Sequence, residues 1–393
     1  MSYRYFLLAP LLVLLQACGS TDAEPGKAPA ERELSRYAPL DGRILVFAGQ
    51  SPADTLDYLA LENTPSPAGF SDYVGYSVGA PYKDYAPDAP RTFQGNDGLL
   101  EPANWGSGKQ CADCLLQRPE FAESVVNIGL YMVGPEAADG SMCRGRADCA
   151  IARLARGEFD SQLSVLADWL KGLGGRPVLM RVGYEFDGSW NNYDPVQFKA
   201  AWKHIYRFMS EAGVDNVAWV YYTYGFASRE TLEQFWPEAD EYSDSYVDWI
   251  GYSYFQLDPS VVGTEELAFA REKGLKIFLG EVAPHTGDCT RQIDVAVDVE
   301  LGKQWMDNFF KHVEDNRDVI GAIAYINHRW SDVERAPMWQ DQQDQNCGGY
   351  FSRSNSHLND SPLLEQYWAE RVSGAGFLNL EPGLYDKLAQ GGD

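Results

Sequence analysis

Two glutamates carry the chemistry that this sequence suggests, and each follows a short apolar run. Glu185 comes after the run at residues 178–183, and Glu281 comes directly after the run at residues 276–280. A glycosidic bond is cleaved when one carboxyl group protonates the leaving oxygen and a second, ionised carboxylate acts on the opposite face of the sugar. The two groups must therefore hold different protonation states at one pH. The pair predicts glycoside hydrolysis, on condition that the fold brings both side chains together.

Eight apolar runs bounded by turn residues predict eight β-strands, most of them separated by helical patterns. Such an alternation is typical of an α/β protein with the (β/α)8 or TIM barrel fold. The carboxyl ends of the strands then open at one mouth, so Glu185 after the fourth strand and Glu281 after the seventh are expected to face each other across it. The runs occupy residues 43–48, 73–78, 125–133, 178–183, 216–222, 247–252, 276–280 and 320–326.

The clearest helices precede the fourth and fifth strands. Residues 150–172 carry apolar side chains at helical spacing and are followed by glycines, which predicts a helix with a C-terminal stop. Residues 195–212 begin with Asp194 as N-cap and Pro195 at the first helical position, and they end at Gly213. Residues 79–119 show no period and are interpreted as an insertion beside the mouth. The prediction is a single catalytic barrel domain over residues 41–393.

The segment RVGYEFDGSW at residues 181–190 resembles the R-P-x-H-E-x-N-G-x-W segment of glycoside hydrolase family 26. These are clan A retaining enzymes best known as β-mannanases. The resemblance covers residues 176–285 well and the rest of the chain only in strand order. It implies a retaining hydrolase of a β-linked polysaccharide, endo-acting, with mannan as the first substrate and β-xylan or β-glucan as alternatives. It implies no cofactor and no metal.

The resemblance also implies roles for individual residues. Glu185 matches the acid/base and Glu281 the nucleophile, while Arg181 matches an arginine that orients carboxylates. Trp190 matches an aromatic residue near the sugar. Tyr254 is the best match to the aromatic residue that hydrogen-bonds the nucleophile.

Other candidate substrate-binding residues lie close to the same strand ends. Trp330 falls where clan A enzymes often place a stacking tryptophan, and His285 is close enough to a strand end to contact sugar hydroxyls. Tyr184 stands where the family has histidine, and Asp187 stands where it has asparagine. Because these positions help to shape the site around the reacting sugar, the substrate need not be mannan. Core packing is the rival interpretation for both Trp190 and Trp330.

The amino terminus has the pattern of an exported bacterial lipoprotein. A charged start and an apolar run at residues 6–15 predict a signal peptide over residues 1–17. The sequence Leu-Gln-Ala-Cys that ends it resembles a lipobox, which implies that Cys18 is lipidated. Residues 18–40 are small, charged and proline-containing, and they predict a flexible tether. The expected location is the outer membrane or the cell surface.

The remaining cysteines predict disulfides, since their number is even in an exported chain. Two pairs are close in sequence, and the last two would form a long-range bond. Zinc is the rival for the CADC segment, but no second CxxC and no nearby histidine supports it. The expected pairs are Cys111 with Cys114, Cys143 with Cys149, and Cys289 with Cys347.

The charge and the aromatic content restrict the partners. The chain has 32 Lys and Arg against 57 Asp and Glu, a formal net charge of −25, which disfavours nucleic acid and polyanionic substrates. Its 11 Trp and 23 Tyr favour stacking on a neutral polysaccharide or oligosaccharide. We expect a monomer that meets a membrane only through its lipid. The alternatives are a glycan-binding lipoprotein on an inactive barrel and an envelope scaffold protein.

Overall fold

Eight parallel strands close into a barrel in this computed structural model, which describes residues 35–76, 96–104, 108–132, 144–288, 291–336 and 353–390. Each strand pairs with its neighbours in chain order, and the eighth pairs with both the seventh and the first. The predicted (β/α)8 fold is confirmed. The strands are β1 Ile44–Ala48, β2 Gly69–Gly75, β3 Val125–Tyr131, β4 Val178–Val182, β5 Val217–Thr223, β6 Trp249–Gln256, β7 Lys276–Asp288 and β8 Ile320–Tyr325.

Helices surround the barrel and connect its strands. Within the described residues they are α1 Pro52–Leu59, α2 Ala112–Leu116, α3 Ala150–Ala155, α4 Asp160–Gly172, α5 Pro195–Glu211, α6 Arg229–Phe235, α7 Thr264–Lys273, α8 Val299–Asp315 and α9 Pro362–Val372. The prediction for α5 is confirmed at its start, because the Asp194 side chain accepts hydrogen bonds from the backbone N–H groups of Val196 and Gln197. The predicted helix at residues 150–172 is divided into α3 and α4, since the backbone turns at Gly157 with φ +78°.

The second strand begins four residues before the predicted one. Its sequence GFSDYVG lacks a continuous apolar run because two polar side chains are buried in it with hydrogen-bond partners. Asn127 donates its side-chain N–H to Ser71 Oγ at 2.9 Å, and Asp72 accepts the backbone N–H of Cys111 at 3.0 Å. Satisfied polar groups of this kind are tolerated in a core, but they hide the strand from a hydrophobicity pattern.

Side chains on each strand alternate between the barrel interior and the surrounding helices, as β-geometry requires. This alternation decides which residues reach the mouth. On β6 the interior face carries Trp249, Gly251 and Ser253, whereas the outer face carries Ile250, Tyr252 and Tyr254.

Both ends of the described chain close the base of the barrel, where the strands begin. Tyr37 and Ala38 pack in one buried cluster with Leu384 and Leu388. The backbone N–H of Tyr37 donates to the carbonyl of Ala389, and that of Ala389 donates to the carbonyl of Ala38. The fold therefore begins by residue 35 and not at residue 41, because residues assigned to the tether contribute apolar side chains to this closure.

One predicted disulfide is present within the described residues, between Cys111 and Cys114. Cys149 is also disulfide-bonded. Cys18, Cys143, Cys289 and Cys347 lie outside the described residues. No helix in the described part of the chain is both long enough and apolar enough to span a bilayer.

The closure of the base generates a stability prediction. Replacing Leu388, which is 1% exposed, with alanine should lower the free energy of unfolding by about 2–4 kcal/mol, because it leaves a cavity between the two chain ends. Chemical denaturation followed by tryptophan fluorescence measures the change. The control is Leu363→Ala in α9, where the side chain is 62% exposed and the expected effect is small. Equal effects of the two substitutions would contradict a packing role for Leu388.

Candidate active site

Glu281 reaches the barrel interior because β7 contains an irregularity. Gly251 pairs with Phe278 and Ser253 pairs with Glu281, so β7 uses one residue more than β6 over this interval. A bulge of this kind redirects a side chain. The carboxylate is 6% exposed, and its Oε1 accepts hydrogen bonds from Arg181 Nη1 at 2.7 Å and from the Tyr73 hydroxyl at 2.8 Å.

Arg181 on β4 is fully buried and holds this carboxylate by an ion pair. Its Nε donates to Asn127 Oδ1 at 3.2 Å. Three tyrosine rings surround the guanidinium at 4.7–5.3 Å from their centroids, which favours the cation at this buried position. The rings belong to Tyr73, Tyr184 and Tyr222. The predicted contact between Arg181 and a glutamate is thus present, and the glutamate is Glu281.

The residue that hydrogen-bonds Glu281 is Tyr73, and the prediction of Tyr254 was wrong. Tyr254 lies on the outer face of β6, where its ring packs on Trp305 and Phe309 of α8 at 5.6 and 5.2 Å. The reason is the two-residue period of a strand: Ser253 points inward, so its neighbour must point outward. Tyr73 escaped detection because the predicted second strand begins at this residue, whereas the observed β2 begins at Gly69 and carries Tyr73 towards its carboxyl end.

Glu185 lies just past the end of β4 in a turn with an uncommon backbone. Both Gly183 and Glu185 have positive φ, of 55° and 50°. The carboxyl group is 7% exposed and is held at both oxygens. Oε1 accepts the hydroxyl proton of Ser253 at 2.7 Å, and Oε2 accepts the indole N–H of Trp190 at 3.1 Å.

The surroundings of the two glutamates are electrostatically different. Burial raises the pKa of Glu185 well above its ordinary value, and the neighbouring charge of Glu281 raises it further. The Ser253 hydrogen bond and the more distant Arg181 act in the opposite direction, while Asp187 adds to the increase. Glu281, in contrast, forms its ion pair directly with Arg181. Two nearby carboxyl groups with such different partners suit one acid and one anion at the same pH.

The two residues that depart from the family segment have different surroundings. Tyr184 is half-buried, and its ring packs edge-on against Tyr73 at 5.2 Å, beside the guanidinium of Arg181. Asp187 turns towards the loop after β5, where its Oδ1 accepts the backbone N–H of Tyr224 at 2.7 Å. Burial raises the pKa of Asp187 to about 6. Asp187 therefore holds a loop of the mouth in place.

Three further candidates differ in how far they are exposed to solvent. His285 and Trp330 are each 1% exposed and pack edge-on at 4.8 Å, and burial lowers the pKa of His285 to about 3, so the imidazole is neutral. Trp190 is 44% exposed and packs edge-on against Tyr224 at 4.7 Å. Of the two tryptophans predicted to stack on sugar, Trp190 is the one that presents a large surface to solvent.

Several residues of the site were missed from the sequence. Ser253 was detectable in principle, because small residues at every second position of WIGYSYF mark the inward face of a barrel strand. Tyr222 lies at the end of a continuous apolar run and gave no sign of its contact with Ser253, although their hydroxyl oxygens are 3.1 Å apart. The missed residues are Tyr73, Asn127, Tyr222 and Ser253.

The barrel carries two buried glutamates, one after β4 and one within β7. Glu281 is paired with arginine, and burial raises the pKa of Glu185. This arrangement defines the protein as a glycoside hydrolase of the TIM-barrel class. The sequence profile of Glycosyl hydrolase family 26 matches residues 154–331. This match agrees with the resemblance of the segment around Glu185 to the same family.

Relatives of the chain are similar over most of its length. The beta-1,3-xylanase TXYA of a Vibrio species is 26% identical over 367 residues, covering 89% of this chain and 69% of the relative. A beta-1,3-xylanase of an Alcaligenes species is 26% identical over 377 residues, covering 91% and 70%. Among solved structures, a GH26 beta-mannanase from Bacteroides ovatus has a TM-score of 0.54 and 15% identity, covering 88% of this chain and 93% of that chain. The likeness to this structure is one of fold.

The hydrogen bond from Ser253 generates a prediction about pH. Because this bond favours the ionised form of Glu185, Ser253→Ala should raise the pKa of Glu185 further. A general acid with a higher pKa stays protonated to higher pH, so the alkaline limb of the kcat/KM profile should move to higher pH.

The matched control is Tyr254→Phe. It removes a hydroxyl from the next residue of β6, on the face away from the site, where that hydroxyl has no hydrogen-bond partner among the described residues. Its pH profile should match that of the wild type. An alkaline limb that stays in place, or moves to lower pH, in Ser253→Ala would contradict the assignment of this limb to Glu185.

Proposed function

We propose that the protein is an endo-acting, retaining β-glycanase in which Glu185 is the acid/base and Glu281 the nucleophile. The observation that carries this proposal is the asymmetry of the carboxyl pair. Glu281 is bound by a buried cation, whereas Glu185 is surrounded by neutral donors in a buried position. A carboxylate must attack and a carboxylic acid must donate a proton in the same step, and this arrangement supports that division.

The hydrogen bonds of Glu281 also identify its reacting oxygen. Arg181 and Tyr73 both donate to Oε1, and no hydrogen bond to Oε2 is made by the described residues. In the first step Oε2 forms a bond to the anomeric carbon while the bond to the glycosidic oxygen breaks, and Glu185 transfers its proton to that oxygen. In the second step Glu185 takes a proton from water, whose oxygen attacks the anomeric carbon and releases Glu281.

For the substrate we propose a neutral β-xylan, with 1,3-linked xylan first. Two relatives that are similar over most of the chain are named beta-1,3-xylanases, whereas the likeness to a beta-mannanase is one of fold. The ring of Tyr184, beside Tyr73 and the nucleophile, supports a small sugar there, because a pentose lacks the hydroxymethyl group of a hexose. A neutral polymer also suits the net charge of −25. β-1,4-Mannan and β-glucan are the alternatives.

A substrate screen tests this choice. The purified protein should release reducing ends from β-1,3-xylan faster than from β-1,4-xylan, β-1,4-mannan or β-glucan, with an early fall in viscosity that marks internal cleavage. Proton NMR of the first products should show the β-anomer. Faster release from mannan would mean that mannan is the substrate, and it would leave the proposed reaction unchanged. Glycan binding without any release would favour the inactive, glycan-binding barrel.

The roles of the two glutamates generate a separate prediction. Glu281→Ala and Glu185→Ala should each lower kcat on polysaccharide by ~10³-fold or more. Azide should restore turnover of an aryl β-glycoside in both variants and give different products. It should yield the α-glycosyl azide with Glu281→Ala, where it replaces the nucleophile, and the β-glycosyl azide with Glu185→Ala, where it attacks the glycosyl-enzyme.

A surface glutamate provides the control for these variants. The Glu300 side chain is 89% exposed on α8, so Glu300→Ala should leave kcat unchanged. The same azide anomer from both catalytic variants would show that the assigned roles are wrong. Wild-type rates in Glu281→Ala would show that Glu281 is not the nucleophile.

We infer from the amino-terminal pattern that the protein is anchored by a lipid on Cys18, at the outer membrane or the cell surface. In a bacterial host supplied with labelled palmitate, the wild type should carry the label and sediment with membranes. Cys18→Ala should lose the label and leave the membrane fraction, whereas Ser20→Ala should behave as the wild type. A labelled, membrane-bound Cys18→Ala variant would contradict the lipidation site.

A further inference from the structure

Two large aromatic side chains are exposed on the loops that follow β4 and β5. Trp190 is 44% exposed and Phe226 is 46% exposed. Tyr224 lies between them, with its ring centroid 4.7 Å from that of Trp190 and 5.5 Å from that of Phe226. The three rings therefore form a continuous row, which we call the aromatic row. Exposed aromatic rings in contact with one another mark a binding surface more often than isolated ones do.

The loop that carries Phe226 is held in place by buried polar groups. The backbone N–H of Tyr224 donates to Asp187 Oδ1 at 2.7 Å, and that of Gly225 donates to Thr223 Oγ1 at 3.1 Å. The backbone N–H of Ala227 donates to Oε1 of Glu266, a residue that is 1% exposed, at 3.1 Å. Phe226 is thus an exposed ring on a fixed backbone. Such preorganisation lowers the entropy lost when a ligand binds.

Holding this loop has an energetic cost, which indicates that its conformation matters. Burial raises the pKa of Asp187 to about 6 and that of Glu266 to about 7, since neither carboxylate has a positively charged partner among its described contacts. Buried carboxylates without a cation weaken a fold near neutral pH. Here the two carboxylates accept hydrogen bonds from the backbone of a surface loop beside the mouth.

The aromatic row begins at the acid/base. The indole N–H of Trp190 donates to Oε2 of Glu185, so the first ring of the row touches the group that protonates the departing oxygen. Sugar units on that side of the cleaved bond belong to the leaving group. The row continues away from Glu185 through Tyr224 to Phe226, over rings that are apolar and uncharged.

We propose that the aromatic row binds the leaving-group half of the polysaccharide, with Trp190 and Tyr224 under the first sugar and Phe226 under a sugar further along. The ligand is a neutral β-linked glycan, whose C–H faces stack on aromatic rings. This inference rests on the proposed function. It adds that specificity for chain length on the leaving-group side resides in Phe226, which contacts neither glutamate.

Kinetics with leaving groups of different length test this inference. The first substrate is an oligosaccharide with 4-nitrophenol as its leaving group, and this single ring occupies only the position of the first leaving-group sugar. The second kind of substrate is an oligosaccharide with two or more sugars on the leaving-group side. In Phe226→Ala, kcat/KM should fall about tenfold for the long oligosaccharides, equivalent to ~1.4 kcal/mol. For the aryl glycoside it should stay within about twofold. Phe226→Trp should restore the loss.

Tyr242→Ala is the matched control. Tyr242 is an aromatic residue of similar exposure, 41%, but it precedes β6 and so lies towards the base of the barrel. Both kcat/KM values should equal those of the wild type.

Three outcomes would overturn the inference. Equal losses on both kinds of substrate would mean that Phe226 acts on folding or on the chemical step, and no loss on either would mean that it binds no sugar. A change of sedimentation from dimer to monomer in Phe226→Ala, with kinetics unchanged, would assign the row to a second copy of the chain. Absence of wild-type turnover on the aryl glycoside and on every oligosaccharide would instead refute the proposed function, and this inference with it.

Discussion

The buried ion pair between Arg181 and Glu281 is the interaction on which the rest of the site depends. A guanidinium and a carboxylate removed from water lose several kcal/mol of hydration each, so the barrel must supply partners for both. Asn127, Tyr73 and the surrounding rings do so. The Tyr73 ring fits beside Arg181 because the neighbouring residue of β3 is Gly129. A Cβ at Gly129 would lie 2.6 Å from the Tyr73 ring, so this side of the interior accepts no side chain there.

The ion pair also sets the chemistry of Glu185 by leaving it without a cation of its own. Arg181 pairs with one carboxylate, and burial together with the negative charge of that carboxylate raises the pKa of the second carboxyl group. One buried cation on β4, together with the burial of Glu185, distinguishes two chemically identical side chains.

The fold was predictable because buried parallel strands are nearly continuous apolar runs, and the strand ends located Glu185, Glu281 and Arg181. What the sequence did not reveal were contacts set by the direction of side chains. Tyr73 belongs to a strand with buried polar residues, and Tyr254 was predicted to bind Glu281 from residue type without regard to strand parity. Hydrogen bonds across a barrel join residues from strands far apart in sequence, and hydrophobic periodicity describes each strand alone.

The left-handed backbone at Glu185 implies a conflict between durability and activity in this enzyme. A residue with a side chain at φ +50° costs of order 1 kcal/mol relative to glycine, and the carboxyl group it carries is buried as well. Selection for thermal stability alone would therefore favour glycine at this turn, and the more stable protein would lack the carboxyl group of Glu185. Glu185 therefore keeps a strained backbone conformation, because replacing it with glycine would remove the carboxyl group.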